Sequence, residues 1–142
     1  MTPMQNEWPN FSGVPEDDIL TLPRPRGQTL ARWIWWNGDI REASRQSVHY
    51  YANALHYGTA VFEGIRCYPT DDGPVLLRLE DHIERLQRSA RLYGMQVSYD
   101  AETLQAACVE VTRKNRISDG YLRPLVYFGE GPIDLKPKRA CP

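Results

Sequence analysis

Arginines and the residues spaced around them carry the chemistry open to this sequence. Arg123 follows Tyr121 by two positions, and alternation along a strand would put both on one face among apolar neighbours. A cation so placed calls for an anion, which a carboxylate substrate supplies to the guanidinium fork. An ion pair with one of the 18 acidic residues is the other reading the residues allow. Arg85 stands between Ile83 and Leu86, at the margin of an apolar helical face. Its planar fork suits a phosphate there, although a solvated edge charge is also ordinary. Residues 55–68, LHYGTAVFEGIRCY, gather Tyr57 and Phe62 beside Gly58 and Gly64 and end near Arg66. The glycines permit close approach of a ligand or a second chain, and the aromatics could wall a flat ligand; a hairpin corner with core aromatics fits the same spacing. His56 and His82 show no matched partner in the sequence and read as structural or exposed rather than as acid–base groups. Gly129-Glu130-Gly131 is too short for a phosphate loop, and neither a Ser-His-Asp context nor a metal-ligand cluster is present.

The elements that would position these residues follow from local signals. In WIWWNGDIREA, apolar and β-branched residues flank Asn37-Gly38, a two-residue hairpin signal, with order beginning at Trp33. Residues 44–53 read as loop or short strand, 65–68 as a strand, TDDG at 70–73 as a turn, and 74–79 as the partner strand. Leu79, Ile83, Leu86, Ala90 and Tyr93 recur at helical spacing, predicting a helix over 80–93 that Gly94 ends. A second helix is predicted over 101–114, with Asp100 as N-cap, Leu104, Ala107, Cys108 and Val111 inward, and Asn115 as its stop. Residues 121–128 read as one apolar strand, with Pro124 at an edge or bulge, and the chain from Gly129 onward as loop. Strands flanking a helical pair give an α+β domain.

Composition bounds the whole. The 142 residues suffice for one domain, with 42% hydrophobic and 25% charged content and a net charge of −1, which argues against nucleic-acid or anionic-lipid binding. Cys67, Cys108 and Cys141 have no paired spacing, and no apolar run has membrane-spanning length, so a reducing cytoplasm is expected. Residues 1–30 hold five of the 11 prolines and read as an extension that Trp8, Phe11, Ile19 and Leu22 could anchor.

Between about residues 34 and 137, the sequence resembles the branched-chain amino acid aminotransferases of the class IV (fold type IV) pyridoxal-phosphate family. The resemblance rests on WNGDI, LHYGTAVFEGIRCY, the DHIERL helix, the RKN helix end, and YLRPL followed by a glycine loop. It implies an antiparallel sheet with two helices: the small N-terminal domain of that fold over 31–142, incomplete at its C-terminus, with the large domain absent. It implies pyridoxal 5′-phosphate as cofactor, with Arg85 on its phosphate. Phe62 and Gly64 match substrate-pocket positions, Tyr57 and Leu135 match residues that close the partner subunit's pocket, and Tyr121 and Arg123 match the pair on the substrate carboxylate. Arg66 has a supporting place. The implied activity moves the amino group of leucine, isoleucine or valine to 2-oxoglutarate, in a homodimer or higher homo-oligomer. Relatives of the family that share this layout act as D-amino acid aminotransferases or aminodeoxychorismate lyases. The family's Schiff-base lysine has no counterpart here: Lys114, Lys136 and Lys138 are the only lysines, and none stands in a matching motif. The chain is therefore expected to be a truncated part, inactive alone, with a non-catalytic dimerisation module as the alternative.

Overall fold

Asn37 and Gly38 both take positive φ, 48° and 98°, as a primed two-residue turn requires. They join strands β1 (Trp33–Trp36) and β2 (Asp39–Glu42) in an antiparallel hairpin with Trp36 opposite Asp39. This computed structural model describes residues 30–133. The expected extension over 1–29 with its apolar anchors, and Leu135, Lys136, Lys138 and Cys141, lie outside the described residues.

Chain order continues through α1 (Asn53–Tyr57), β3 (Ala60–Phe62), β4 (Ile65–Tyr68), β5 (Val75–Leu76), α2 (Leu79–Leu92), α3 (Ala101–Lys114), β6 (Gly120–Leu122) and β7 (Leu125–Tyr127). The architecture is α+β, as expected, but its strands form three small antiparallel ladders rather than one sheet: β1-β2, β3-β7 and β5-β4-β6.

Four local expectations are corrected. His56 and Tyr57 belong to the short helix α1, which Gly58 ends at φ 64°, instead of to a hairpin corner. β5 covers only two of the residues expected over 74–79, because Arg78 turns to φ 49° and α2 begins at Leu79. The strand expected over 121–128 is two strands in different ladders, since Pro124 has no N–H to continue the pairing. Tyr93 is exposed rather than part of the apolar face of α2. Gly94, at φ 71°, reverses the chain there, and Met95 enters the core instead, its N–H donating to the Ala90 carbonyl.

The helices otherwise follow their apolar spacing. Ile83, Leu86 and Ala90 are buried along α2. Asp100 caps α3, its carboxylate accepting from the Thr103 N–H at 2.8 Å. Leu104, Ala107 and Cys108 are buried, while Thr112 is buried where Val111 was expected and donates its hydroxyl to the Cys108 carbonyl at 2.8 Å. Asn115 does more than stop the helix. Its side chain accepts from the Trp33 N–H and donates to the Trp33 carbonyl, fastening the end of α3 to the hairpin.

Two buried clusters result. Val61, Leu86, Ala90, Met95, Val126 and Phe128 form one, between α2 and the β3-β7 ladder; Ile65, Cys67, Ile83, Leu104, Cys108 and Leu122 form the other, between both helices and the β4 ladder. α2 contributes to both and so spans the junction of the two ladders. Cys67 and Cys108 are free thiols, and burial raises the Cys108 thiol to about 11. Among the described residues no helix is long and apolar enough to cross a membrane.

Candidate active-site wall

β3 and β4 meet at a corner, Phe62-Glu63-Gly64, and β6 and β7 meet at Arg123-Pro124. The two breaks lie side by side. Phe62 pairs with Leu125 on one side, Ile65 with Leu122 on the other, and between them the Glu63 N–H donates to the Pro124 carbonyl at 3.0 Å. This is one long ribbon that changes ladder halfway, and the residues at the change carry the candidate chemistry.

Four expected substrate residues meet there: Phe62, Gly64, Tyr121 and Arg123. The Arg123 guanidinium carbon lies 4.7 Å from the Phe62 ring centroid and 5.6 Å from that of Tyr121. The Tyr121 hydroxyl rests against Gly64, where any β-carbon would overlap it. Phe62 and Tyr121 are each about half exposed (56% and 54%), so the group faces outward as a wall. Arg123 has no carboxylate partner among the described residues. The alternative of a structural ion pair therefore finds no support there, and a cation stacked on aromatic faces is left with N–H groups to offer an anion. Arg66, by contrast, is paired with Asp119 at 2.5 Å and lies over the Tyr68 ring.

Arg85 reaches the same corner from α2. Its Nε and Nη2 donate to the two oxygens of the Glu63 carboxylate at 2.6 and 2.5 Å. His82, one turn earlier, adds a 2.9 Å contact from Nδ1 to Oε2; an ionised carboxylate only accepts, so Nδ1 is the donor. Hydrogen bonding from Arg85 foremost, and then from His82, holds the Glu63 carboxyl below the ordinary range, against burial, which pushes it up. Glu63 and His82 escaped the sequence analysis as a pair. The His82-x-x-Arg85 spacing on one helix face was the available signal, but nothing local reveals that Glu63 lies opposite.

Other expected residues stand apart. Tyr57 closes α1 in a row of exposed rings with His49, Tyr50, Tyr51 and His56. His56 is occupied structurally, its Nε2 lying 2.9 Å from the Tyr50 carbonyl. Asn53, buried at the start of α1, donates to the Pro132 carbonyl and so holds the segment leading toward Leu135, itself outside the described residues. Lys114 lies 5.0 Å over the Trp33 ring at the far end of α3.

A wall of aromatics with a guanidinium free of carboxylate partners among the described residues, and a second guanidinium anchored behind it, is an arrangement that can receive an anion. The amino-transferase class IV family model matches residues 60–142, and the chain belongs to that family. It is 44% identical over 107 residues to the branched-chain-amino-acid aminotransferase of Salmonella typhimurium strain LT2, a match covering 75% of this chain and 35% of the relative. The crystal structure of the Escherichia coli branched-chain amino acid aminotransferase superposes with a TM-score of 0.76 at 40% identity, over 78% of this chain and 38% of that one. The branched-chain amino acid aminotransferase of Thermobaculum terrenum, in its pyridoxal-phosphate holo form, superposes with a TM-score of 0.61 at 33% identity, over 70% and 34%. The chain thus spans little more than a third of the length of these relatives.

Proposed function

We propose that residues 60–128 form the substrate-carboxylate and phosphate-facing wall of a pyridoxal-phosphate-dependent branched-chain aminotransferase. The observation that carries this is Arg123, stacked on Phe62 and Tyr121 with no carboxylate partner among the described residues. Phe62 and Tyr121 offer apolar area to a leucine, isoleucine or valine side chain. Arg123 and the Tyr121 hydroxyl offer donors to the second carboxylate of glutamate or 2-oxoglutarate, so one pocket takes both substrate kinds. The names of the relatives favour this over D-amino acid aminotransferase or aminodeoxychorismate lyase activity.

Arg85 fits the cofactor's phosphate end. Its bonds to Glu63 use one edge of the guanidinium, leaving the Nη1 donors for phosphate oxygens, and the side chain is 56% exposed. When bound, pyridoxal phosphate supplies the electron sink for proton removal at the amino acid Cα. The amine that bonds its aldehyde has no candidate among the described residues, Lys114 being held on Trp33. Catalysis therefore rests on residues outside 30–133, and we read the 142-residue chain as inactive alone. The free, buried Cys67 and Cys108 accord with the reducing cytoplasm we assign it.

The test is a chimera in which residues 31–133 replace the matching stretch of the Escherichia coli relative. It should transfer the amino group of leucine to 2-oxoglutarate. Arg123→Gln in that chimera should raise KM for 2-oxoglutarate about tenfold or more and KM for leucine far less. Equal effects on both substrates, or none, would refute the assignment. The aromatic row around Tyr50 supports self-association as a second property.

A further inference from the structure

We propose that Glu63 is the positioning residue for Arg85: its carboxylate, steadied by His82, fixes the guanidinium so that the free edge meets a phosphate monoester. The inference rests on Arg85 being the phosphate residue and adds what sets its geometry. Glu63 is 4% exposed, and both its oxygens are used, Oε1 by Arg85 and Oε2 by Arg85 and His82. A buried carboxylate is tolerated only where donors replace its water, so the cluster is held to one geometry. The side-on pairing through Nε and Nη2 locks rotation of the guanidinium plane, which an arginine on an exposed helix face would otherwise sample freely. Glu63 is itself held through its backbone, the N–H donating to Pro124 between the two ladders. The phosphate-facing cation is thereby referred to the same corner that sets Phe62, Gly64 and Arg123.

The sign of one measurement separates this from a plain ion pair. A carboxylate beside Arg85 repels an incoming phosphate, so a Glu63 that merely neutralised the arginine would weaken phosphate binding, and its removal would tighten it. Positioning predicts the reverse: Glu63→Gln should weaken phosphate binding although it removes a negative charge.

The experiment titrates the full 142-residue chain with inorganic phosphate and with pyridoxamine 5′-phosphate, following the Arg Nε–Hε resonances by NMR. Arg85→Ala should abolish the response, and Glu63→Gln should reduce affinity about tenfold, the value of a charged hydrogen bond. Binding of 4-methylvaleric acid, a carboxylate without phosphate, should change less than about twofold, because the Glu63 backbone bond to Pro124 survives in the variant. If Arg85→Ala abolishes binding while Glu63→Gln leaves it unchanged or tighter, the positioning role is overturned and the reading of Arg85 stands. If Arg85→Ala has no effect, both fall. Should Glu63→Gln unfold the chain, the unmodified protein decides: a slowly exchanging Arg85 Nε–Hε with resolved Nη signals supports the lock, and averaged signals refute it.

Discussion

Gly64 shows how much a missing atom can matter. The Tyr121 hydroxyl occupies the space a β-carbon would need, so the ring can lie against the backbone only while position 64 has no side chain. Because Tyr121 is half exposed, Gly64→Ala should turn the ring outward rather than strain the core. Stability should fall by less than about 1 kcal/mol, while 4-methylvaleric acid binding weakens severalfold. Thermal unfolding and ligand titration of the same variant check this, and unchanged binding would contradict it. Glu63 supplies a pH-dependent counterpart. Its folded carboxyl titrates below the ordinary glutamate value of 4.5, so the unfolded chain takes up the proton first as pH falls. The contribution of Glu63 is therefore whole above pH 4.5 and is lost as pH drops through the lower folded value. In urea titrations, the stability gap between the native chain and Glu63→Gln should narrow below pH 4.5 and stay level above it. A gap independent of pH would show that the charge contributes nothing.

At the level of elements, the parts governed by neighbouring residues follow from local chemistry. Gly94 must adopt φ 71° to end α2, and a β-carbon added there would meet nothing within 4 Å. Gly94→Ala should thus cost about 1–2 kcal/mol through backbone strain alone, a fall in thermal midpoint without change in ligand affinity. An unaltered midpoint would mean that the turn had relaxed. The same local logic made the Asn37-Gly38 turn, the Asp100 cap and the apolar stripes of both long helices legible in the sequence. It failed where distant residues decide. Nothing near Pro124 says that the strand it interrupts will divide between two ladders; that depends on the corner at Glu63, far back along the chain. Likewise, the five-residue α1 is too short to form on propensity and is held by Asn53 and Ala54, whose N–H groups donate to the Gly129 and Phe128 carbonyls. The resemblance to a known family implied separate substrate places for Phe62 and Arg123 but not their stacking, and the Glu63–His82–Arg85 cluster likewise emerged only once α2 was packed on the corner.

In the molecule as a whole, one group of exposed rings lies at and just before α1. Tyr50 is 71% exposed, with Tyr51 and His56 in ring contact with it and Tyr57 next to His56, and Leu55 on the same short helix is 61% exposed. An aromatic face of this kind is costly to leave in water and is characteristic of an interaction surface. His49 and His56 stand among the rings, and the exposed Glu130 carboxylate borders them, 3.8 Å from His49 Nδ1. A second copy of the chain is the occupant we assign, which accords with the partner-facing place that the resemblance implies for Tyr57. The double variant Tyr50→Ser, Leu55→Ser should fold normally, because neither side chain is buried and the His56 contact is made by the Tyr50 backbone. In sedimentation velocity, the native chain should show a concentration-dependent dimer that the variant loses. A native chain that stays monomeric at all concentrations, or a variant that dimerises equally well, would move the self-association surface elsewhere or remove it.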